Sequence, residues 1–434
     1  MQKIETDIVI IGGGLSGLSC AVKLCEKSNL KIVLVESTGK LGGRTFSFVE
    51  KKTNTIIDNG QHILIEAYEK TLEYLKIIGS ENWFLKQKKN EIVFWNSKSK
   101  FQTLNMDSNF VFSILKFQML SLKSRMKFIN VFNFFKNFSE NKIKIKNLSV
   151  EEFLSFLKQT KQSKQIFWYP LAISIMNEFP QKSSAIIFAN AVYKSFFLQK
   201  CKIRIANIGQ TELYVEKAKF FLEQKHNKIF FNSEVIKVKN DNSKIEKIIL
   251  KNKTEIFGKY FVSAVPQYAL QKFFPEFSNI RKFLYSPIIT VYLWFDNKIS
   301  DIFFLCVCEK NIQWIFNRSK IFSDGKNCFA IVISAAYAFV DLSKESLIQM
   351  CLEEFYEIFP NSKKSKLVHS LVLKEKKATI SINCLTEELR PNIKTIYENF
   401  FLSGDWVATK FPATIESAIQ SGFMCANEIL ENQN

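Results

Sequence analysis

The chain has 434 residues, too long for one ordinary domain and enough for two or three. Hydrophobic residues make up 47%, which excludes wholesale disorder. The net charge of +19 suits nucleic acid, anionic lipid or acidic ligands and does not choose among them, and 43 Phe with frequent Lys, Ile and Asn is also what an AT-rich genome produces. Nine cysteines are scattered from Cys20 to Cys425 without paired CxxC spacing. Free buried thiols in a reducing compartment are therefore expected, and no metal site. No apolar run reaches the ~18–20 residues that a spanning helix needs. The first apolar run is broken by glycines, which suits a strand and turn better than a signal peptide. The expectation is a cytoplasmic protein able to lie on the inner face of a membrane.

In chain order, TDIVII (6–11) reads as a short buried strand, followed by Gly12-Gly13-Gly14-Leu15-Ser16-Gly17. A helical pattern and a second strand, KIVLVE, ending at Glu36, come next. Gly12 permits the tight turn, Gly14 lets backbone approach a pyrophosphate, and Gly17 allows close helix–strand packing. The pyrophosphate then faces the free N–H groups where Leu15 and Ser16 open the helix. Glu36 lies nineteen residues past Gly17, where a carboxylate can accept ribose hydroxyl protons. A nucleotide-binding α/β unit of Rossmann type is the reading. Gly42-Gly43-Arg44-Thr45 follows; its glycines keep backbone near a cofactor, and Arg44 can neutralise phosphate with a planar fork.

Further on, IDNGQHI (57–63) gathers Asp58, Gly60, Gln61 and His62, one of only three histidines. Residues 111–146 mix Lys and Arg with Phe, Leu, Ile and Met, and Glu140 is the single acid. Such a segment either lies on anionic lipid or is a solvated basic helix packed on a core. Nucleic acid is not an expected partner, because no corresponding domain motif is present. Residues 228–241 and 260–266 read as strands, and 271–379 as strand-rich with one helical stretch, ESLIQMCLEEFYEIF. At the far end, NFFLS reads as a strand running into Gly404-Asp405, and Pro412-Ala413-Thr414 opens an amphipathic helix.

Glu36, five residues and then GGRT resembles the two-dinucleotide-domain flavoproteins of the amine oxidase and phytoene desaturase type. The resemblance implies non-covalent FAD with its pyrophosphate against residues 42–45 and adenine near the backbone of Val235. It also implies Gly404 and Asp405 at the ribityl chain or phosphate, and the backbone of Thr414, Ile415 and Glu416 at the flavin ring, where a helix N-terminus stabilises the reduced anion. The FAD domain would then comprise 1–85, 205–270 and 380–434. A substrate domain of mixed sheet and helices would comprise 86–204 and 271–379.

Four stretches narrow the resemblance: IDNGQHILIEAY (57–68), WYPLAI (168–173) with Asn177, KEKKAT (374–379), and SGDWVAT (403–409) with PATIE (412–416). Together they are similar to the squalene-associated FAD-dependent desaturases, the hydroxysqualene dehydroxylases of hopanoid and squalene biosynthesis. IGQTEL (208–213) departs from the GLS-type segment expected there, which bears on local substrate contacts. The implied substrate is a long apolar isoprenoid alcohol, with an unidentified electron donor. The implied reaction replaces an allylic hydroxyl with hydride. In this superfamily the segment after GGR approaches the flavin ring. Gly60 and Gln61 therefore become cofactor contacts, and His62, Gln61 and Asp58 become candidates to hold or protonate the hydroxyl. His62 is equally readable as a structural or flavin-contacting residue. Alternatives are a phytoene-type desaturase, a flavin amine oxidase, and a non-enzymatic prenyl-protein binder of the GDP-dissociation-inhibitor kind. Intact GGR, Glu36 and Gly404-Asp405 argue against the last.

Overall fold

The computed structural model describes residues 2–85, 89–106, 110–241, 243–280 and 282–433, so the expected boundary at residue 86 falls outside it. Two seven-stranded sheets organise the chain. The first is centred on Lys3–Ile11, whose last four residues are all buried, as in a strand covered on both faces. It pairs in parallel with Ile32–Val35 on one side and Glu255–Ser263 on the other. Lys228–Phe230 extends the first side. Lys244–Leu250 and Val235–Asp241 extend the second as an antiparallel meander. Phe400–Leu402, from the other end of the chain, pairs in parallel with Glu255–Ser263.

Helix Leu15–Lys27 packs on the terminal helix Ile415–Glu431 so closely that Gly422 has no room for a side chain. A Cβ there would lie 2.2 Å from Ser19 Oγ and 2.3 Å from the Ser16 carbonyl. Ser19 Oγ donates to the Ile419 carbonyl at 3.2 Å across this contact. Sequence ends 400 residues apart thus meet over one sheet.

The second sheet runs in the order Leu367–Ile380, Tyr285–Phe295, Cys328–Ser334, Trp314–Asn317, Phe304–Val307, Glu91–Asn96, Lys100–Asn105. It is antiparallel except where Phe304–Val307 meets Glu91–Asn96. Tyr285–Phe295 shows the period of two that fixes register in a sheet covered on both sides. Ile289, Val291, Leu293 and Phe295 join the core under helix Lys344–Ile358. Tyr292 and Trp294 face the other way, toward Ile57, Ile203 and Ile205.

Residues 110–197 are largely helical and pack through aromatic rings: Phe128 stacks on Trp168 at 5.3 Å and Phe135 on Phe197 at 4.5 Å. The basic run is broken into Phe110–Lys116, Leu122–Lys136 and a further short helical stretch. Its aromatics Phe128, Phe134, Phe135 and Phe138 turn inward. The face left outside is chiefly aliphatic: Leu115, Leu122, Met126 and Ile129, with Phe112. All nine cysteines are free, and seven are buried. Among the described residues no helix is long and apolar enough to cross a membrane.

Candidate active site

The Gly12–Gly17 turn carries Gly12 at φ +106°, a conformation that favours glycine. Helix Leu15–Lys27 makes its first internal bond from Leu18 N to the Gly14 carbonyl, 2.9 Å, which leaves the N–H groups of Leu15, Ser16 and Gly17 without helical partners. Gly14 borders open space: a Cβ built on it meets nothing within 4 Å. A Cβ on Gly17 would lie 2.0 Å from the Gly12 carbonyl, so that position admits only glycine.

Glu36 is fixed beside this turn. Its Oε2 accepts from Gly13 N at 2.9 Å, and its Oε1 accepts from Thr38 N at 2.8 Å and from Thr38 Oγ1 at 2.9 Å. The Gly42–Thr45 loop lies on the same turn, with Gly42 N donating to the Gly13 carbonyl at 2.8 Å and Thr45 N to the Gly42 carbonyl at 3.0 Å. Gly43 beside it is accessible. Ser233 N donates to the Glu36 carbonyl at 2.8 Å, which brings the strand beginning at the buried Val235 alongside.

From the far end, Gly404 leaves no room for a Cβ, which would lie 2.6 Å from the Trp406 ring. Arg44 and Asp405, expected at the phosphate and the ribityl chain, meet each other. Arg44 Nη2 binds Asp405 Oδ1 at 2.7 Å and Nη1 donates to the Ala378 carbonyl at 2.7 Å. Burial lowers the guanidinium pKa and Asp405 more than restores it. Asp405 is thereby an ion-pair partner before it is anything else. Thr414 caps helix Ile415–Glu431, its hydroxyl accepting from Ser417 N at 3.4 Å. The Glu416 carboxylate turns away to Lys70 N, Thr71 N and Thr71 Oγ1 at 2.7–3.0 Å. Thr414 N already donates to the Pro412 carbonyl at 2.8 Å, which leaves the backbone N–H groups of Ile415 and Glu416 to address a ligand.

Sequence reasoning missed Arg390. Its side chain is fully buried. It donates to the carbonyls of Phe411 and Asp405 and to Thr409 Oγ1, tying together the loop that leads into the terminal helix. The local Glu387–Arg390 spacing marks an ordinary helical ion pair, whereas the partners that make it a clamp lie 15 to 21 residues away.

The third element is IDNGQHI. Asp58 ends strand Thr55–Asp58 and stands across from Ser47 in a hairpin. Its Oδ1 accepts from Ser47 Oγ at 2.7 Å and from Gln210 N at 3.0 Å. The expectation that Asp58 orients His62 is corrected by these partners: the carboxylate is engaged by Ser47 and Gln210 and not by the imidazole. Burial pushes its pKa up to about 6, with Gln210 N–H, Ser47 and the Arg318 charge opposing. His62 is accessible, yet set among enough protein that burial pushes its pKa down to about 4. Burial thus favours the neutral imidazole, a hydrogen-bonding group. Gln61 lies between them, its Oε1 buried without a partner.

Asp58 carries a pH prediction. Its pKa is raised on folding, so the folded chain holds a proton that the unfolded chain sheds between pH ~4 and ~6. Stability from this group is full below that window and lost as pH rises through about 6. The loss at neutral pH is at most about 3 kcal/mol. Asn can accept the same two bonds without charge. Asp58→Asn is therefore expected to match the parent near pH 4 and to exceed it in denaturant melts at pH 7.5. A variant weaker than the parent at pH 7.5 would show that the carboxylate charge is needed.

The two chain ends and this hairpin are tied together: Asn59 Nδ2 donates to the Arg44 carbonyl at 3.0 Å, and Arg44 in turn binds Asp405. A family model described as flavin containing amine oxidoreductase matches residues 15–430. The chain belongs to this family. Among curated relatives of this flavoprotein, the hydroxysqualene dehydroxylase of Zymomonas mobilis subsp. mobilis is 26% identical over 432 residues, covering 98% of this chain and 99% of that protein. A 15-cis-phytoene desaturase of an Oncidium hybrid cultivar is 24% identical, covering 99% and 78%. A putrescine oxidase redesigned in its cofactor binding superposes with a TM-score of 0.77 over 99% of this chain and 100% of that one, at 14% identity, which shows the fold. The flavoprotein is an FAD-dependent oxidoreductase. Its residues fit that cofactor: the Gly14 face is open, the first-turn N–H groups are free, and Glu36 is fixed beside them.

Proposed function

We propose that this flavoprotein reduces hydroxysqualene, an allylic C30 alcohol, to squalene. The observation that carries the reading is the end-to-end match to a hydroxysqualene dehydroxylase, which covers 98% of this chain and 99% of that protein. The geometry supports it by placing one neutral, accessible imidazole beside Gly60 and Gln61.

In the reaction the carbon–oxygen bond breaks, carbon receives a hydride, oxygen receives a proton, and water leaves. Reduced FAD, when bound, supplies the hydride. Gly14, the first-turn N–H groups and Glu36 hold its nucleotide end. The N-terminus of helix Ile415–Glu431 favours negative charge at the other end. His62 offers a hydrogen bond to the hydroxyl, and burial favours its neutral form.

The test is a single turnover. FAD-loaded protein is reduced anaerobically with dithionite and mixed with hydroxysqualene, and the expected product is squalene, about one per flavin. Absence of squalene, with desaturation of phytoene by the oxidised protein, would transfer the function to the desaturase class represented among the relatives.

A substrate this apolar is held in lipid, and the surface offers a contact. Exposed Phe112, Leu115, Leu122, Met126 and Ile129 lie along two successive helices with Lys116, Lys123, Lys127 and Lys136 among them. No acidic residue occurs from 110 to 139. Apolar side chains fringed by lysine suit an anionic bilayer surface. The protein is expected to sediment with anionic vesicles and less with zwitterionic ones. Changing Leu122, Met126 and Ile129 to Ser should weaken this at least about tenfold. Unchanged sedimentation would remove the surface from the proposal.

A further inference from the structure

Three residues on one face of strand Tyr285–Phe295 address the same segment of chain. Trp294 Nε1 donates to Thr55 Oγ1 at 3.2 Å, and Tyr292 OH donates to the Asp58 carbonyl at 2.9 Å. Thr290 is next in this period of two and points to where the segment reaches Gly60. Its hydroxyl oxygen is buried and has no hydrogen-bond partner. Buried polar atoms are nearly always paired, so a series of two bonds followed by an orphan calls for a missing partner.

Two more orphans belong to Gln61, the next residue after Gly60, and to Gln210, which bonds Gly60. Gln61 Oε1 and Gln210 Oε1 are buried and unpaired. Gln210 is anchored beside Gly60, because its Nε2 donates to the Gly60 carbonyl. Gly60 itself faces space. Apart from its chain neighbours, the atoms within 4 Å of a Cβ built there are His62 Nε2 and Thr290 Oγ1, each at 4.0 Å. Its φ is not in the left-handed region, so the missing side chain leaves room without relieving strain.

We propose that Gly60, Thr290 and His62 enclose a subsite for a single oxygen, the substrate's hydroxyl and the water it becomes. This rests on the dehydroxylase reading above. Chemistry selects the ligand. Two orphaned amide oxygens need donors, and a threonine hydroxyl can donate or accept. A water can donate to both amide oxygens and accept from Thr290, and an alcohol can donate to one of them while its oxygen accepts from Thr290. The nearby carboxylate, Asp58, is turned to Ser47 and Gln210 and offers no charge to an ammonium group. The open volume belongs to glycine, so the subsite is small, and the long hydrocarbon remainder lies elsewhere. Gln210 stands in the segment that departs from the expected GLS type, and it serves here as a positioning residue for the Gly60 carbonyl.

The test separates the oxygen from the chain that carries it. FAD-loaded, oxidised protein is titrated with hydroxysqualene and with squalene in the same detergent, read by the shift in flavin absorbance. The parent is expected to bind the alcohol about tenfold more tightly or better. Thr290→Val, which removes the hydroxyl at constant shape, and Gly60→Ala, which fills the space, should bring the alcohol down to the affinity of squalene, and Thr290→Val should leave squalene binding and flavin content unchanged. Thr290→Ser should keep the preference. If both variants still prefer the alcohol, the oxygen sits elsewhere and this proposal fails while the dehydroxylase reading stands. If the parent shows no preference and forms no squalene, both fall.

Discussion

Gly14→Ala is expected to give a folded protein that no longer holds its flavin. Gly14 sits at φ −72° and ψ 176°, an extended conformation that alanine adopts freely. The added methyl touches no protein atom within 4 Å. Nothing in the fold resists the change, so the apoprotein should melt within a few degrees of the parent apoprotein. The methyl would stand over the free N–H groups at the start of helix Leu15–Lys27, in the space where pyrophosphate approaches backbone. FAD affinity should fall by about 100-fold or more, equivalent to about 3 kcal/mol. Gly17→Ala makes the contrast. Its Cβ would lie 2.0 Å from the Gly12 carbonyl, so strand and helix must part and folding itself should suffer. The measurement is the 450 nm to 280 nm absorbance ratio after purification, with titration of apoprotein by FAD. A Gly14→Ala protein with a full complement of flavin would mean that the pyrophosphate does not cross this turn.

The two glycines also show what sequence alone made legible. Their spacing, the strand on either side and Glu36 are separated by few residues, so local pattern carried the nucleotide end of the site. The terminal strand Phe400–Leu402 and its helix were readable for the same reason. Partnerships across long separations were not. Arg44 pairing with Asp405 joins residues 361 apart, and nothing in either neighbourhood announces it. Asp58 and His62 look like partners in IDNGQHI because they are close in sequence. The register Ser47↔Asp58 sends the carboxylate into the hairpin instead. The run 111–146 shows both aromatic and basic character, but only packing decides that Phe128 and Phe135 enter the core while Leu122, Met126 and Ile129 stay outside. Thr290 is invisible as a site residue until Tyr292 and Trp294 are seen bonding the same segment.

Arg390 carries the other large effect. Its Nη1 lies 2.9 Å from Glu387 Oε2 and 2.8 Å from the Phe411 carbonyl. Its Nη2 donates to the Asp405 carbonyl at 3.0 Å and reaches Thr409 Oγ1 at 3.2 Å. The guanidinium thus clamps both ends of the loop between Asp405 and helix Ile415–Glu431. Arg390→Met would leave two buried carbonyls unpaired, and Glu387 without the charge that opposes the burial raising its pKa. Breaking a buried charged network in this way costs about 3–5 kcal/mol. Arg390→Lys keeps the charge but cannot span the loop, because an ammonium lacks the planar fork. It should fold with a lowered melting temperature and keep one end of the clamp. The loop also carries Asp405 and Thr414, so this variant should bind FAD more weakly, and excess FAD should recover part of the lost melting temperature by mass action. A role confined to stability would show otherwise: Arg390→Lys would melt early yet titrate with FAD as the parent does. Melting with and without FAD, beside the titration of apoprotein, therefore distinguishes a clamp that shapes the flavin site from one that only holds the fold.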